Sequence, residues 1–204
     1  MGEIHRLERI GPIPLCRAGY SGIPEVGEGS IGPTNCLSTR LVTVGEYLAC
    51  VAARACPPPG LGPGCSAARP GEPLRPINCV SFENARAFCR FREAEIPQSG
   101  MWPAVGRAGD DRRYPWGNEA PTTETCWSPQ ARRTLPCEAS PARPRSAVGV
   151  EDLVGNLRYW TTSLYIESCG SSFRERPVSL NERCRTESRE PSVDVGIRCG
   201  HSER

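Results

Sequence analysis

Twelve cysteines constrain the fold of this 204-residue chain more than any other feature of its sequence. None of them forms a C-x-x-C pair, which excludes the usual zinc-ribbon and thioredoxin motifs. Their even number and spread spacing favour disulfide bonds, each of which typically stabilises a small domain by ~2–4 kcal/mol. The positions are Cys16, Cys36, Cys50, Cys56, Cys65, Cys79, Cys89, Cys126, Cys137, Cys169, Cys184 and Cys199.

Six disulfides would place the protein in an oxidising compartment, either the periplasm or the cell exterior. The alternative is a set of reduced, buried thiols in a cytosolic protein. The first residues, MGEIHRLERIGPIPLC, contain no continuous apolar segment and no small-residue cleavage site, so no secretory signal is visible. The expectation of a periplasmic or secreted protein therefore depends on the cysteines alone.

The remaining composition favours loops and excludes several function classes. Leu, Ile, Val and Phe make up less than a fifth of the chain, while Gly and Pro number 21 each. No apolar run reaches the roughly 20 residues that a membrane span needs. The net charge of +2 argues against nucleic acid as a partner. The only histidines are His5 and His201, so a zinc site of clustered imidazoles is not expected, and the absence of Lys excludes a lysine Schiff base.

Local patterns predict two helices among loops. Thr43 and Glu46 have capping-box spacing before an apolar stripe, and Ser81 can cap a second helix. Residues 1–35 are interpreted as an arm of short strands and turns, and 57–76 and 110–118 as a loop and a turn. The arginines of the 128–147 loop are interpreted as solvated surface; they are Arg132, Arg133, Arg143 and Arg145. Spacing alone makes the local bridges Cys50–Cys56 and Cys126–Cys137 plausible.

Several segments, taken in order, resemble the sulfatase-modifying-factor family, whose founding member is the formylglycine-generating enzyme. They are VTVGEYLACVAARAC (42–56), PINCVSFENARAFCRF (76–91), RYPWGNEAP (113–121), VGVEDLVGNLRYWTTS (148–163), CGSSF (169–173) and VGIRCG (195–200). The resemblance covers residues 36–200. It implies an α+β fold: a loop-rich, disulfide-rich variant of the C-type-lectin-like fold, with a small antiparallel sheet and two helices.

The resemblance also implies where catalytic residues would lie. The family enzyme oxidises a substrate cysteine with copper and oxygen through a cysteine pair, and those two positions fall on Arg174 and Ser179 here. Neither side chain replaces a soft thiolate ligand for Cu(I). The family's active-site serine is matched by Ser171, whereas a tryptophan becomes Arg158 and an asparagine becomes Asp194. We therefore expect a catalytically silent protein, with copper relevant only to the alternative of an active formylglycine-generating oxidase.

A calcium loop and two disulfides are also carried over from the family. Asp152, Gly155 and Leu157 match calcium ligands, but the family's glutamate is Tyr159 and Glu151 is the alternative carboxylate, so calcium is only a possible cofactor. Cys89–Cys199 matches a family bridge. Cys184 matches a cysteine whose family partner aligns with Gly106, and Cys169 is proposed as its partner instead. Segment 95–109 departs from a family helix because Pro97, Gly100 and Pro103 interrupt it.

The leading hypothesis is a binding or interaction module for a protein, peptide or glycan. Its expected surface comprises Arg158, Tyr159, Arg174, Glu175, Arg176 and Ser179 around the former catalytic groove. A variant of this hypothesis is a retroelement-diversified receptor whose copies differ between residues 156 and 190. A related ergothioneine-type sulfoxide synthase is not favoured, because its iron is bound by several histidines on an additional domain and this chain has only two, near its termini.

Overall fold

The computed structural model describes residues 16–22, 36–127 and 134–202. Within them, three α-helices and two short 3-10 turns surround two small sheets. The helices are α1 (Val44–Ala52), α2 (Phe82–Phe91) and α3 (Met101–Arg107), and the 3-10 turns are Ser66–Ala68 and Thr123–Thr125. In these ranges the structure contains no helix with the length and apolar character of a membrane span.

Both predicted helices begin at their predicted caps. The Thr43 side chain accepts a hydrogen bond from the Glu46 backbone, and the Glu46 carboxylate accepts one from the Thr43 backbone N–H at 2.9 Å. Ser81 accepts a bond from the Asn84 backbone N–H at 3.1 Å and so caps α2. The Asn84 side chain also donates to the Tyr47 hydroxyl at 2.9 Å, which ties α2 to α1.

The third helix, α3, was not predicted, and it corrects the expectation of two helices. Pro103 is its third residue, and the first four N–H groups of a helix have no intrahelical partner, so the missing N–H costs nothing there. Trp102 is buried and donates its indole N–H to the Leu153 carbonyl at 2.9 Å. This tertiary contact fixes a segment whose local propensity is poor.

The strands form two separate sheets. The first has the order β1-β2-β7, all antiparallel, from β1 (Tyr20–Gly22), β2 (Cys36–Ser38) and β7 (Gly200–His201). The second has the order β5-β4-β3-β6, from β3 (Arg158–Thr162), β4 (Ile166–Cys169), β5 (Arg185–Thr186) and β6 (Val195–Gly196). Among these seven strands, β3 and β6 are the one parallel pair. β1 is one strand of the predicted N-terminal arm; the rest of that arm, apart from residues 16–19, lies outside the described residues.

Two apolar clusters form the interior. One joins α1 and α2 to Trp160 of β3, and the other joins α3 to Tyr159 and Phe173. Successive residues of a strand face opposite sides, so Tyr159 and Trp160 serve different clusters. The second sheet therefore separates the two clusters.

Six disulfides stabilise this small core, and no described cysteine is free. Four are the pairs considered from the sequence: Cys50–Cys56, Cys89–Cys199, Cys126–Cys137 and Cys169–Cys184. The other two are Cys16–Cys36 and Cys65–Cys79. Cys89–Cys199 links α2 to the segment just before β7. The six bridges suggest folding in an oxidising compartment such as the periplasm or the exterior.

Candidate functional site

Arg158, which the resemblance aligns with a family tryptophan, is buried at the start of β3. Its Nε donates to the Ser168 hydroxyl at 3.0 Å, and its Nη1 donates to the Glu175 carboxylate. Its Nη2 lies 3.4 Å from the Glu187 carboxylate, which also accepts a bond from Ser168 at 2.7 Å. Arg185 of β5 approaches Glu175 at 2.6 Å. We call these five residues the Arg158 network.

The network brings two arginines and two carboxylates together. Burial acts to raise the pKa of Glu175, but the hydrogen bond and positive charge of Arg158, with hydrogen bonds from Arg185 and the Ser172 backbone, outweigh it, so that pKa lies below its ordinary value of 4.5. The carboxylate therefore stays ionised and holds both guanidinium groups. Such a site offers no soft donor to a copper ion.

The two positions that the resemblance aligns with the family's catalytic cysteines differ in their exposure. Arg174 is exposed, and its Nη1 is 3.8 Å from the Asp194 carboxylate. Ser179 is half-buried, and its backbone N–H donates to Glu182 at 3.0 Å in a local turn. The nearby Cys169 and Cys184 are joined as a disulfide, so neither presents a thiolate. The described residues contain no group of three or more His, Cys, Asp or Glu side chains that could hold a metal ion.

Ser171 and Asp194, the other expected groove residues, serve the scaffold. Ser171 is fully buried, and its hydroxyl accepts a bond from the Gly155 backbone N–H at 3.0 Å. The Asp194 carbonyl accepts from the Arg158 backbone N–H at 3.1 Å. The structure therefore brings Arg158, Arg174 and Asp194 together, and it assigns Ser171 to the support of the neighbouring loop.

Two members of the expected binding surface are not accessible, which corrects that part of the prediction. Tyr159 is fully buried, and the Arg198 guanidinium lies 5.2 Å from the centre of its ring. This burial raises the pKa of the Tyr159 hydroxyl. Arg158 is enclosed by its network. Among the remaining members, Arg174 and Arg176 are exposed and Glu175 and Ser179 are half-buried.

A groove that sequence reasoning missed lies between α2 and the hairpin formed by β3 and β4. Its volume is about 1310 Å³, and its lining includes Arg86 and Arg90 of α2 with residues 162–166 and 186–189. Leu164 and Tyr165, at the hairpin tip, are 94% and 64% exposed. Glu187 belongs both to this groove and to the Arg158 network. The sequence does contain a signal for this groove, which is the Leu-Tyr pair after Ser163. Turns are usually polar, so two large apolar side chains in a turn indicate an exposed contact surface.

The side chains at the predicted calcium site do not favour binding of the ion. The Asp152 carboxylate accepts a bond from the Asn156 side chain at 2.8 Å and lies 3.5 Å from the Arg143 guanidinium. Burial raises the pKa of Asp152, while Arg143 and the Asn156 bond act against that rise. Tyr159 supplies no carboxylate. Since calcium prefers six to eight oxygen ligands, usually including carboxylates, these residues do not fit the ion.

Comparisons with known proteins confirm the family resemblance. Residues 34–201 match the family described as sulfatase-modifying factor enzyme 1-like domain. The chain is 33% identical over 115 residues to bovine "Inactive C-alpha-formylglycine-generating enzyme 2", covering 48% of this chain and 38% of that protein. It is 37% identical over 93 residues to "Hercynine oxygenase" of Mycobacterium tuberculosis, covering 43% of this chain and 22% of that protein. The chain thus spans well under half of either relative.

A solved structure shows the same fold. "Treponema denticola variable protein 1" superimposes with a TM-score of 0.66 and 12% identity, covering 90% of this chain and 95% of that chain. This agreement, together with the small, largely antiparallel sheets and six disulfides, confirms the C-type-lectin-like fold of formylglycine-generating-enzyme-like proteins. At this identity the similarity concerns the fold alone.

Proposed function

Because this chain belongs to the sulfatase-modifying-factor family, we propose that it is a catalytically silent member that acts as a binding module. The observation that carries the proposal is the Arg158 network, with a buried guanidinium between Glu175 and Glu187 beside the former catalytic positions. A copper ion placed there would meet positive charge and no thiolate. The relative named as inactive supports the same conclusion.

The binding surface that we propose is the groove at α2, whose lining includes the exposed side chains of Arg86 and Arg90. Exposed Leu164 and Tyr165 at the hairpin tip give the groove an apolar rim, and Arg90 provides a charged wall. Aromatic residues and arginines are the side chains that most often anchor interfaces. The partner classes are a protein, a peptide or a glycan.

The catalytic part of the proposal is tested by turnover. Purified protein is loaded with Cu(I) under oxygen and incubated with a cysteine-containing sulfatase peptide, and peptide mass is followed by mass spectrometry. We expect no conversion to formylglycine, while an active family enzyme assayed in parallel converts the peptide. Copper-dependent conversion by this protein would establish the oxidase alternative and end the proposal.

The binding part is tested with matched surface variants. Labelled protein is applied to peptide and glycan arrays as wild type, as Leu164→Ser/Tyr165→Ser, and as Leu61→Ser/Leu74→Ser. Leu61 and Leu74 are also exposed, at 68% and 66%, but lie in the 57–76 loop outside the lining of the groove. We expect the wild type and the control to bind the same probes and the hairpin variant to lose them. Equal loss in both variants, or no binding by any form, would contradict the proposed surface.

A further inference from the structure

Arg143 projects from a Pro-rich loop into the interior, although the sequence pattern suggested solvated surface. Only 5% of its side chain is exposed. Its Nη2 donates to the Glu138 carbonyl at 2.8 Å, and its Nη1 lies 3.5 Å from both the Glu124 carbonyl and the Asp152 carboxylate. The guanidinium is therefore surrounded by two main-chain oxygens and one carboxylate.

These oxygens are of the kind that calcium prefers, which are carboxylates and main-chain carbonyls. They come from three separate segments, so a cation at their centre ties those segments together. Asn156 fixes the arrangement: its side chain donates to Asp152 at 2.8 Å and to the Cys137 carbonyl at 3.1 Å, and accepts from the Cys137 N–H at 2.9 Å. Cys137 is itself bonded to Cys126.

A buried carboxylate without a cation nearby is strongly unfavourable. Arg143 supplies that positive charge directly, and the buried Arg198 adds to it from further away. A divalent ion entering the same space would be repelled by both guanidinium groups. The positive charge that the loop needs is thus part of the chain.

We propose that the Arg143 guanidinium supplies the positive charge that a calcium ion would otherwise give to Asp152, so that this loop is held without a divalent metal. The inference goes beyond the proposed function, because it concerns how the scaffold is stabilised and holds whether or not a ligand binds the groove. It also accounts for the family's glutamate being replaced by Tyr159, since a second buried carboxylate is not needed to hold a metal.

The first test uses the wild-type protein and calcium alone. Thermal unfolding is measured at pH 7.5 in EDTA and in calcium at about 10 mM, well above the roughly 0.1–1 mM Kd of weak extracellular calcium modules. We expect the same Tm in both. A rise of about 3 °C or more in calcium would show a site that binds the ion, and would overturn the proposal.

The second test measures whether Arg143 and Asp152 act as a pair. Arg143→Met should lower the Tm by about 10 °C, because it leaves a buried carboxylate without its partner. The matched control is Arg145→Met, since Arg145 lies in the same loop but is 53% exposed in its pair with Glu151. This control should lose no more than about 2 °C.

The single variant Asp152→Asn and the double variant Arg143→Met/Asp152→Asn complete a double-mutant cycle, in which the loss of Tm is measured for each variant. The double variant should lose clearly less than the sum of the two single losses, because neither partner is left charged and alone. Additive losses would contradict the proposed role. If Arg143→Met fails to fold, the calcium measurement on the wild type still decides the question.

Discussion

The Arg158 guanidinium and the Glu175 carboxylate form a largely buried ion pair, with 7% and 25% of their side chains exposed. Arg158→Met should lower the free energy of unfolding by about 2–3 kcal/mol, because it leaves Glu175 and Glu187 without their shared cation and Glu175 is only partly screened by water. Denaturant unfolding measures this. The control Arg174→Met, at an exposed pair with Asp194, should cost less than about 1 kcal/mol. Equal losses would mean that burial of the Arg158 pair is unimportant.

The depressed pKa of Glu175 makes part of the stability depend on pH. Between the folded pKa and the ordinary value of 4.5, the folded state binds fewer protons than the unfolded state. The contribution of the Glu175 charge to the free energy of unfolding is therefore complete above pH 4.5. It is lost as the pH falls through the folded pKa. In unfolding curves from pH 7 to pH 3, the stability difference between wild type and Glu175→Gln should shrink. A constant difference would show that the charge of Glu175 does not contribute.

Gly155 occupies a position that admits no side chain. Its φ is +87°, and a Cβ there would lie 1.9 Å from the Thr125 carbonyl oxygen. Gly155→Ala should therefore cost more than about 3 kcal/mol in unfolding free energy or prevent folding.

Substitutions at two other glycines distinguish backbone strain from steric contact as the cause of that loss. Gly71 has a φ of +83° with nothing within 4 Å of a Cβ, so Gly71→Ala should cost only the roughly 1–2 kcal/mol of backbone strain. Gly62 has open space and an ordinary φ, so Gly62→Ala should change stability by less than about 0.5 kcal/mol. A Gly155 variant no worse than the Gly71 variant would refute the close contact with Thr125.

The Cys89–Cys199 bridge should stabilise the folded state more than the Cys50–Cys56 bridge does. The cysteines of the first pair are 110 positions apart in the sequence, and those of the second are 6 apart. Chain-entropy estimates give about 4.8 and 2.2 kcal/mol for loops of these lengths. Replacing both cysteines of each pair by Ala and measuring unfolding should reproduce that order. The reverse order would indicate that packing around α1, and not loop closure, determines the effect.

Much of the fold follows from local signals. The caps at Thr43 and Ser81 and the Cys50–Cys56 spacing involve residues close in sequence, so the sequence predicts them directly. Helix α3 could not be predicted because Pro97, Gly100 and Pro103 are unfavourable to a helix in this segment. It depends on Trp102 reaching Leu153, a contact that spans 51 positions.

The sequence predicted where the site residues lie along the chain, but it did not predict which of their side chains are buried. Comparison with the family motifs located Arg158 and Arg174, but the acidic partners of Arg158 lie 17 and 29 positions later, at Glu175 and Glu187. Whether an arginine is solvated or enclosed depends on where those segments fold back. The same reason explains Arg143, which the composition of its loop assigned to the surface.

The Cys169–Cys184 bridge encloses a loop whose exposed residues are suited to substitution. It closes a covalent ring whose inner residues, Phe173 and Leu180, are buried, while Arg176 and Arg183 face outward. The ring is fastened at β4 and next to β5, so substitutions at those outward positions leave its anchorage intact. A combinatorial library confined to them would therefore generate new recognition properties on an unaltered framework.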